Sequence, residues 1–197
     1  MIRYFTFIIF LILALALAYY TSFSIWWADY HASQNNWRQA LIISPYRDHL
    51  TKFYAAFLQE ALRQKISLPN FEQAAALAMD ELDKSIERRP LDYLLRANFV
   101  DAAAAFAKID QGYIARAEKH LAELIKINPR RQHPYFLSAK LKLAGGDKEA
   151  MIKIMEKAIA LEPAAGQTHF IFSQLAQLAG EKKLAEEELR LAKELGY

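Results

Sequence analysis

Cysteine is absent from the 197 residues. That excludes disulfides, Cys-ligated zinc and thiol chemistry. An excess of one charge is missing too. With 25 Lys and Arg against 22 Asp and Glu the net charge is only +3, so no polyanion is implied and no nucleic-acid partner is expected. There is no G-x-S-x-G, no Gly-rich phosphate loop and no dinucleotide fingerprint. The five histidines (His31, His49, His120, His133 and His169) show no i, i+4 pairing and no H-E-x-x-H, so they read as scattered surface or groove groups, with no metal ligand and no cofactor expected. Glu186, Glu187 and Glu188 lie beside Lys182 and Lys183 as a solvated helix face, not as an acid/base pair. Nothing assembles a catalytic site, and the chain is not expected to be an enzyme. No stretch alternates with period two, which leaves no sheet.

What is present begins with a long apolar run. Tyr4 to Ala28 carry no charge, enough for the roughly 20 residues of a membrane helix. Tyr19, Tyr20, Phe23, Trp26, Trp27 and Tyr30 crowd its far end like an interfacial aromatic belt. A signal peptide is the competing reading, since Arg3 makes a short n-region and Ala16-Leu17-Ala18 is an A-x-A pattern. The uncharged stretch continues past Ala18 into tryptophans, which argues for an uncleaved anchor. Arg3 precedes the span and Asp29 follows it, so the N-terminus is expected in the cytoplasm and the rest outside.

The remainder repeats itself. Gly112, Gly146 and Gly180 are spaced by 34, as are Pro129 and Pro163. The same offset relates Ala105, Ala139 and Ser173; Ala117, Met151 and Ala185; Leu121, Met155 and Leu189; and Leu124, Ala158 and Ala192. A period of this length marks stacked helix–turn–helix units. The glycines are expected at φ > 0 between paired helices, and the prolines end each second helix. Met151 and Met155 are expected in the core between units. The small residues at 105, 139 and 173 let the two helices of a unit approach.

The segment 144–163, AGGDKEAMIKIMEKAIALEP, resembles the second half of a tetratricopeptide repeat at Gly146, Asp147, Ala158 and Pro163. At the place of the large aromatic usual near the start of such a repeat stand Tyr135, then His169, and in the first copy Asp101, so that copy is degenerate there. The resemblance covers 98–197 well and 35–97 loosely. A narrower likeness joins the apolar span, ALIISPYRDHL, AELIKINPRRQHPYFLSAKL and the terminal ELGY to the extracytoplasmic tails of O-antigen ligase-like membrane proteins, and implies a bacterial envelope setting.

The expected architecture is all-α: a tetratricopeptide-like solenoid of about four helix pairs on one transmembrane helix. Residues 1–30 form the anchor, 31–97 irregular helical repeats and 98–197 regular ones. Residues 29–45 read as a second helix ending at Pro45, followed by helices near 46–66, 70–88, Asp92–Ile109, 111–127, 132–144, 148–161, 166–178 and 181–195.

The tetratricopeptide resemblance implies that the second, fifth, ninth and twelfth residues of a unit face a groove. That selects Phe99, Ala102, Phe106 and Ile109; His133, Phe136, Lys140 and Leu143; and Gln167, Phe170, Gln174 and Gln177, with Arg130 and Arg131 at the edge. Burial of Phe99, Phe106 and Ile109 by preceding helices is the competing reading. Aromatics with a few polar donors suit a peptide or helix of a partner. The expected function is a membrane-anchored scaffold for protein–protein interaction in an envelope complex. The alternative is an accessory or detached tail of a glycan polymerase or ligase system.

Overall fold

A computed structural model describes the backbone of residues 2–197 and the side chains of all but residues 1–8 and Thr21. Arg3, on which the expected topology turns, lies outside the described side chains. Among the described residues ten helices follow one another: α1 (Ile2–Ser33), α2 (Trp37–Ile43), α3 (Arg47–Arg63), α4 (Phe71–Arg88), α5 (Tyr93–Phe106), α6 (Gly112–Ile127), α7 (Gln132–Ala144), α8 (Lys148–Leu161), α9 (Gly166–Ala179) and α10 (Lys182–Glu194). No strand occurs among the described residues.

Two kinds of helix end punctuate the chain, and each has a local cause. α2, α4, α6 and α8 each stop two residues before a proline, at Pro45, Pro90, Pro129 and Pro163. The ring cannot donate to the helix and biases the residue before it to extended backbone. α7, α9 and α10 instead close through a glycine in the left-handed region: Gly146 (φ 85°), Gly180 (φ 83°) and Gly196 (φ 82°). The residue after each glycine donates its N–H back into the last turn: Asp147 to Lys142, Glu181 to Ala176 and Tyr197 to Ala192. This is the Schellman closure, and glycine adopts it without steric cost. Asn35 closes α1 in the same way, with Asn36 donating to His31. Helix starts are capped where an acid allows it. Asp92 accepts from the Leu95 amide and Asp147 from the Ala150 amide.

Two expectations fail here. The first concerns residues 29–45. α1 runs on to Ser33, and only residues 37–43 form the second helix. Nothing in 29–33 breaks the helix, whereas Asn35 and Asn36 supply a left-handed stop and a cap. The second concerns Gly112, which is the first residue of α6 and is not among the positive-φ glycines. Its N–H bonds Asp110 Oδ1 at 2.7 Å.

The chain divides into two compact units, residues 1–54 and 55–197, with the boundary inside α3. In the first, α1 pairs with α2. Trp37 of α2 stacks on Tyr54 at 4.5 Å between centroids, and Ala40 and Leu41 are buried. In the second unit α5 pairs with α6, α7 with α8 and α9 with α10, while α4, α5, α7 and α9 pack in succession. This is helix-pair stacking with nearest-neighbour burial. The α7/α8–α9 interface is a cluster of Ala139, Met151 and Met155 against Phe172, Leu175 and Ala179, with Phe136, Leu143 and Ile152 packed on it. Both methionines are fully buried, as their positions in the repeat require.

At Gly166 α9 comes close to the end of α10. A Cβ there would lie 2.9 Å from Tyr197 Cβ and 3.2 Å from the Ala192 carbonyl oxygen. One unit earlier the same place holds Gln132, whose Nε2 donates to the Ala158 carbonyl at 2.9 Å. The 34-residue equivalence of the second helices thus survives while the contact is made differently.

Candidate functional site

The groove expected from the repeat is displaced on α5. Phe99, Ala102 and Phe106 are fully buried. Phe106 meets Phe71 of α4 edge-on, and Phe99 meets His120 of α6. Ile109 lies beyond the end of α5. The reason is register. α5 and α7 begin 39 residues apart, whereas α7 and α9 begin 34 apart. The five extra residues are spread over the end of α5, the α5–α6 connection (107–111 against 145–147 one unit on) and the start of α6, so the ends of the second helices keep the period and the first helices do not. Five residues rotate a helix by about 140°, given its 3.6 residues per turn, and turn the 34-offset positions inward.

Proline carbonyls mark the true register. Tyr135 donates to the Pro129 carbonyl at 3.1 Å, and His169 Nε2 contacts the Pro163 carbonyl at 3.2 Å. Arg96 reaches the Pro90 carbonyl at 2.9 Å through its terminal nitrogen. Each partner is six residues after its proline. Arg96, not Asp101, therefore stands in the place of the repeat aromatic.

Asp101 turns out to the open side, where Lys140 of α7 pairs with it. The two line a cleft of about 500 Å³ with Asn98, Ala105, Gln59, Glu60 and Arg63. Arg63 and Glu60 are themselves paired at 2.6 Å on α3. Six of its nine lining residues carry charged or amide side chains, and Ala56, Leu62 and Ala105 supply an apolar part, so we refer to it by its polar groups as the polar cleft. Ala105 lies in its wall and does not close a helix pair; Val100, 39 residues before Ala139, takes that buried place.

His133 and Arg131 join a second cluster. The Arg131 guanidinium stacks over the Tyr93 ring at 4.4 Å, and the Tyr93 hydroxyl bonds His133 Nδ1 at 2.7 Å. Burial first, and the Arg131 charge second, push the His133 imidazole below its usual pKa, with Asp101 opposing. Arg130 is exposed.

Phe136 and Phe170 do not share a surface. Phe136 is half-buried against the α8–α9 core. Phe170 is half-buried beside the Tyr197 ring, 5.0 Å away, in a slot on α9 and α10. Gln174 and Gln177 line that slot with Phe170, while Lys140 belongs to the polar cleft.

Two histidines that read as scattered groups sit in built networks between helices. His120 Nε2 lies 2.8 Å from Asp83 Oδ1, and its Nδ1 lies 3.1 Å from an Arg96 nitrogen. Arginine only donates, so Nδ1 accepts and Nε2–H donates to Asp83. Arg116 also bonds Asp83 and stacks over Phe99. Burial works to raise the Asp83 pKa, but hydrogen bonds from His120 and Arg116 outweigh it and hold the carboxyl below its usual range. His169 Nδ1 meets Glu188 Oε2 at 2.7 Å in a buried pair joining α9 to α10. Glu188 is therefore not part of a solvated face, whereas Glu186 and Glu187 are exposed. No group of three or more metal-ligating side chains gathers among the described residues. Sequence spacing could not have found these pairs, because their members come from different helices at unrelated separations.

On α1, Tyr19, Tyr20, Trp26 and Tyr30 are exposed and Trp27 is half-buried. Tyr19 stacks on Phe23, Phe23 meets both tryptophans, and both tryptophans meet Tyr30. These rings form one continuous aromatic strip. Residues Ile9–Ser33 are long and apolar enough to cross a membrane.

No family model matches the chain, and no curated protein matches it. Solved structures of MamA are similar to it. "MamA MSR-1 C2" is 15% identical, with a TM-score of 0.44, over 90% of this chain and 95% of that one. "MamA RS-1 ArsTM double mutant" is 19% identical, with a TM-score of 0.46, over 89% and 94%. "Crystal structure of MamA" is 17% identical, with a TM-score of 0.45, over 85% and 93%. The resemblance to O-antigen ligase-like tails finds no support in these comparisons.

Proposed function

We propose that the chain is a membrane-anchored helical-repeat scaffold, inserted through α1 and holding a protein partner on its repeats. One observation carries the reading. From Ile9 to Tyr20 α1 is apolar on all sides and leaves its large side chains in the open, with Phe10 71% and Tyr19 73% exposed. Helices α4 to α9 instead bury most of theirs against one another. Water is a poor solvent for such a surface, and a bilayer is the environment that removes the cost. The aromatic strip from Tyr19 to Tyr30 suits the interface, and the charge of Arg3 before the span favours repeats outside the cytoplasm.

For the partner we favour an extended peptide on the polar cleft. Lys140 and Asp101 are both partly exposed there, and Asn98 adds donor and acceptor capacity. Arg130, Arg131 and His133 lie near the start of α7 and extend the polar character of that helix.

The anchor is tested by alkaline carbonate extraction of membranes. The full chain stays in the pellet, and a chain lacking residues 1–33 is released. A mature chain beginning at Tyr19 would overturn the anchor, and repeats that resist protease in intact spheroplasts would overturn the orientation. The cleft is tested by site-specific photocrosslinking at Asn98, which should capture a protein that Lys140→Glu loses. Capture of a glycan instead would favour the glycan-ligase accessory reading.

A further inference from the structure

The slot beside α10 is the surface on which the repeat would seat one more helix, and the molecule shows what such a helix looks like. On α7 and α8, Phe136, Ala139, Leu143, Met151 and Met155 form the face covered by α9. Adding 34 to each number gives Phe170, Ser173, Gln177, Ala185 and Leu189. All five line an open slot of about 480 Å³, together with Gln174, Leu178 and Glu186. Leu178 at its rim is 76% exposed. In a stacked array an outer face is normally polar, because each unit buries its apolar side only on its neighbour. This one keeps Phe170, Leu178, Ala185 and Leu189 apolar.

We infer that this slot docks an amphipathic helix of a partner protein, one that carries the pattern by which α9 fills the preceding face. α9 presents Phe172, Leu175 and Ala179, a large, an aliphatic and a small residue at i, i+3 and i+7. That spacing is one stripe of a helix and a recognised helix-in-groove pattern. Three polar replacements set the slot apart from its precedent. Ala139 becomes Ser173, whose hydroxyl is already bonded to the Phe170 carbonyl, Leu143 becomes Gln177 and Ile152 becomes Glu186. The docking helix therefore carries the apolar triplet with a polar group toward Gln177 and a lysine or arginine toward Glu186. Tyr197 rests on Phe170, one of the lining residues. This surface is separate from the polar cleft, so the inference goes beyond the scaffold reading and stands without it.

The test uses the full chain in lipid nanodiscs and helix-stapled, fluorescent peptides spanning 165–181, which carry the α9 triplet, each with one lysine introduced beside that stripe to meet Glu186. Saturable binding is expected. Leu189→Glu and Leu178→Glu should each weaken it at least tenfold, as should Phe172→Ala in the peptides. Lys140→Glu in the cleft should leave it unchanged. Circular dichroism and the thermal midpoint establish that each variant is folded; Leu178→Glu, at an exposed site, serves if Leu189→Glu is not. Absence of saturable binding to the folded chain overturns the proposal. So does binding that a folded slot variant does not weaken. Self-association of the full chain that Leu178→Glu abolishes would assign the slot to a second copy and overturn the partner helix.

Discussion

Lys140 on α7 forms its ion pair with Asp101 on α5, 2.5 Å away and 39 residues back. That separation is the distance from Pro90 to Pro129, and not the 34 by which the second helices repeat. The pair therefore reports the register of the first helices directly. Both side chains are partly exposed, so the pair contributes about 0–1 kcal/mol to folding. Lys140→Ala should leave the denaturation midpoint nearly unchanged, within about 1 kcal/mol. A larger loss would mean that Lys140 is a structural residue and an unsuitable probe of partner capture.

Gly166→Ala should destabilise by overpacking, by about 1–3 kcal/mol. The added methyl meets the Ala192 backbone oxygen and Tyr197 Cβ, and neither is the free end of a flexible side chain. Gly146→Val has a different cause of damage. Nothing lies within 4 Å of a Cβ there, so the cost is the left-handed φ alone. Chemical denaturation of both variants checks this. Relief of Gly166→Ala by Tyr197→Gly, with no relief of Gly146→Val, would separate contact from backbone strain.

Ala158→Phe places a ring at a fully buried position whose carbonyl already receives the Gln132 side chain. Destabilisation of about 1–3 kcal/mol is expected. An unchanged urea midpoint would contradict the packing of α7 on α8.

Asp83 makes stability depend on acid. Its folded pKa is depressed below the ordinary aspartate value of 3.8. The ionised carboxylate therefore adds stability that is fully present above that value and is lost as pH falls through the folded pKa. Asp83→Asn should lower the midpoint at neutral pH and flatten its fall below about pH 4. Parallel acid profiles for the two proteins would refute the role of the His120–Asp83–Arg116 network.

His133 should titrate below 6.5 in the folded protein, since burial and Arg131 both disfavour its charged form. Its depressed pKa adds stability above the unfolded value that is lost as pH falls through the folded one. Arg131→Ala should raise the midpoint seen by NMR but not restore it fully, because burial remains. An unmoved midpoint would show that Arg131 does not act on the ring.

Helix pairs, their turns and their ends were legible in the residues alone, because these are local. A proline two residues on stops α2, α4, α6 and α8, Gly146 and Gly180 close a helix at φ > 0, and the stripe at Met151, Met155 and Ala158 is a spacing within one helix. Gly112 and α5 were misplaced because extra residues spread around a connection leave local patterns intact while they rotate one helix against its neighbours. Only the packed structure decided that Phe99 turns inward and Asp101 outward. It also decided that Glu188 is buried against His169 while Glu186 and Glu187 stay in solvent. Three consecutive glutamates on a helix look alike in sequence. Their environments differ because successive residues point about 100° apart and only one direction meets another helix.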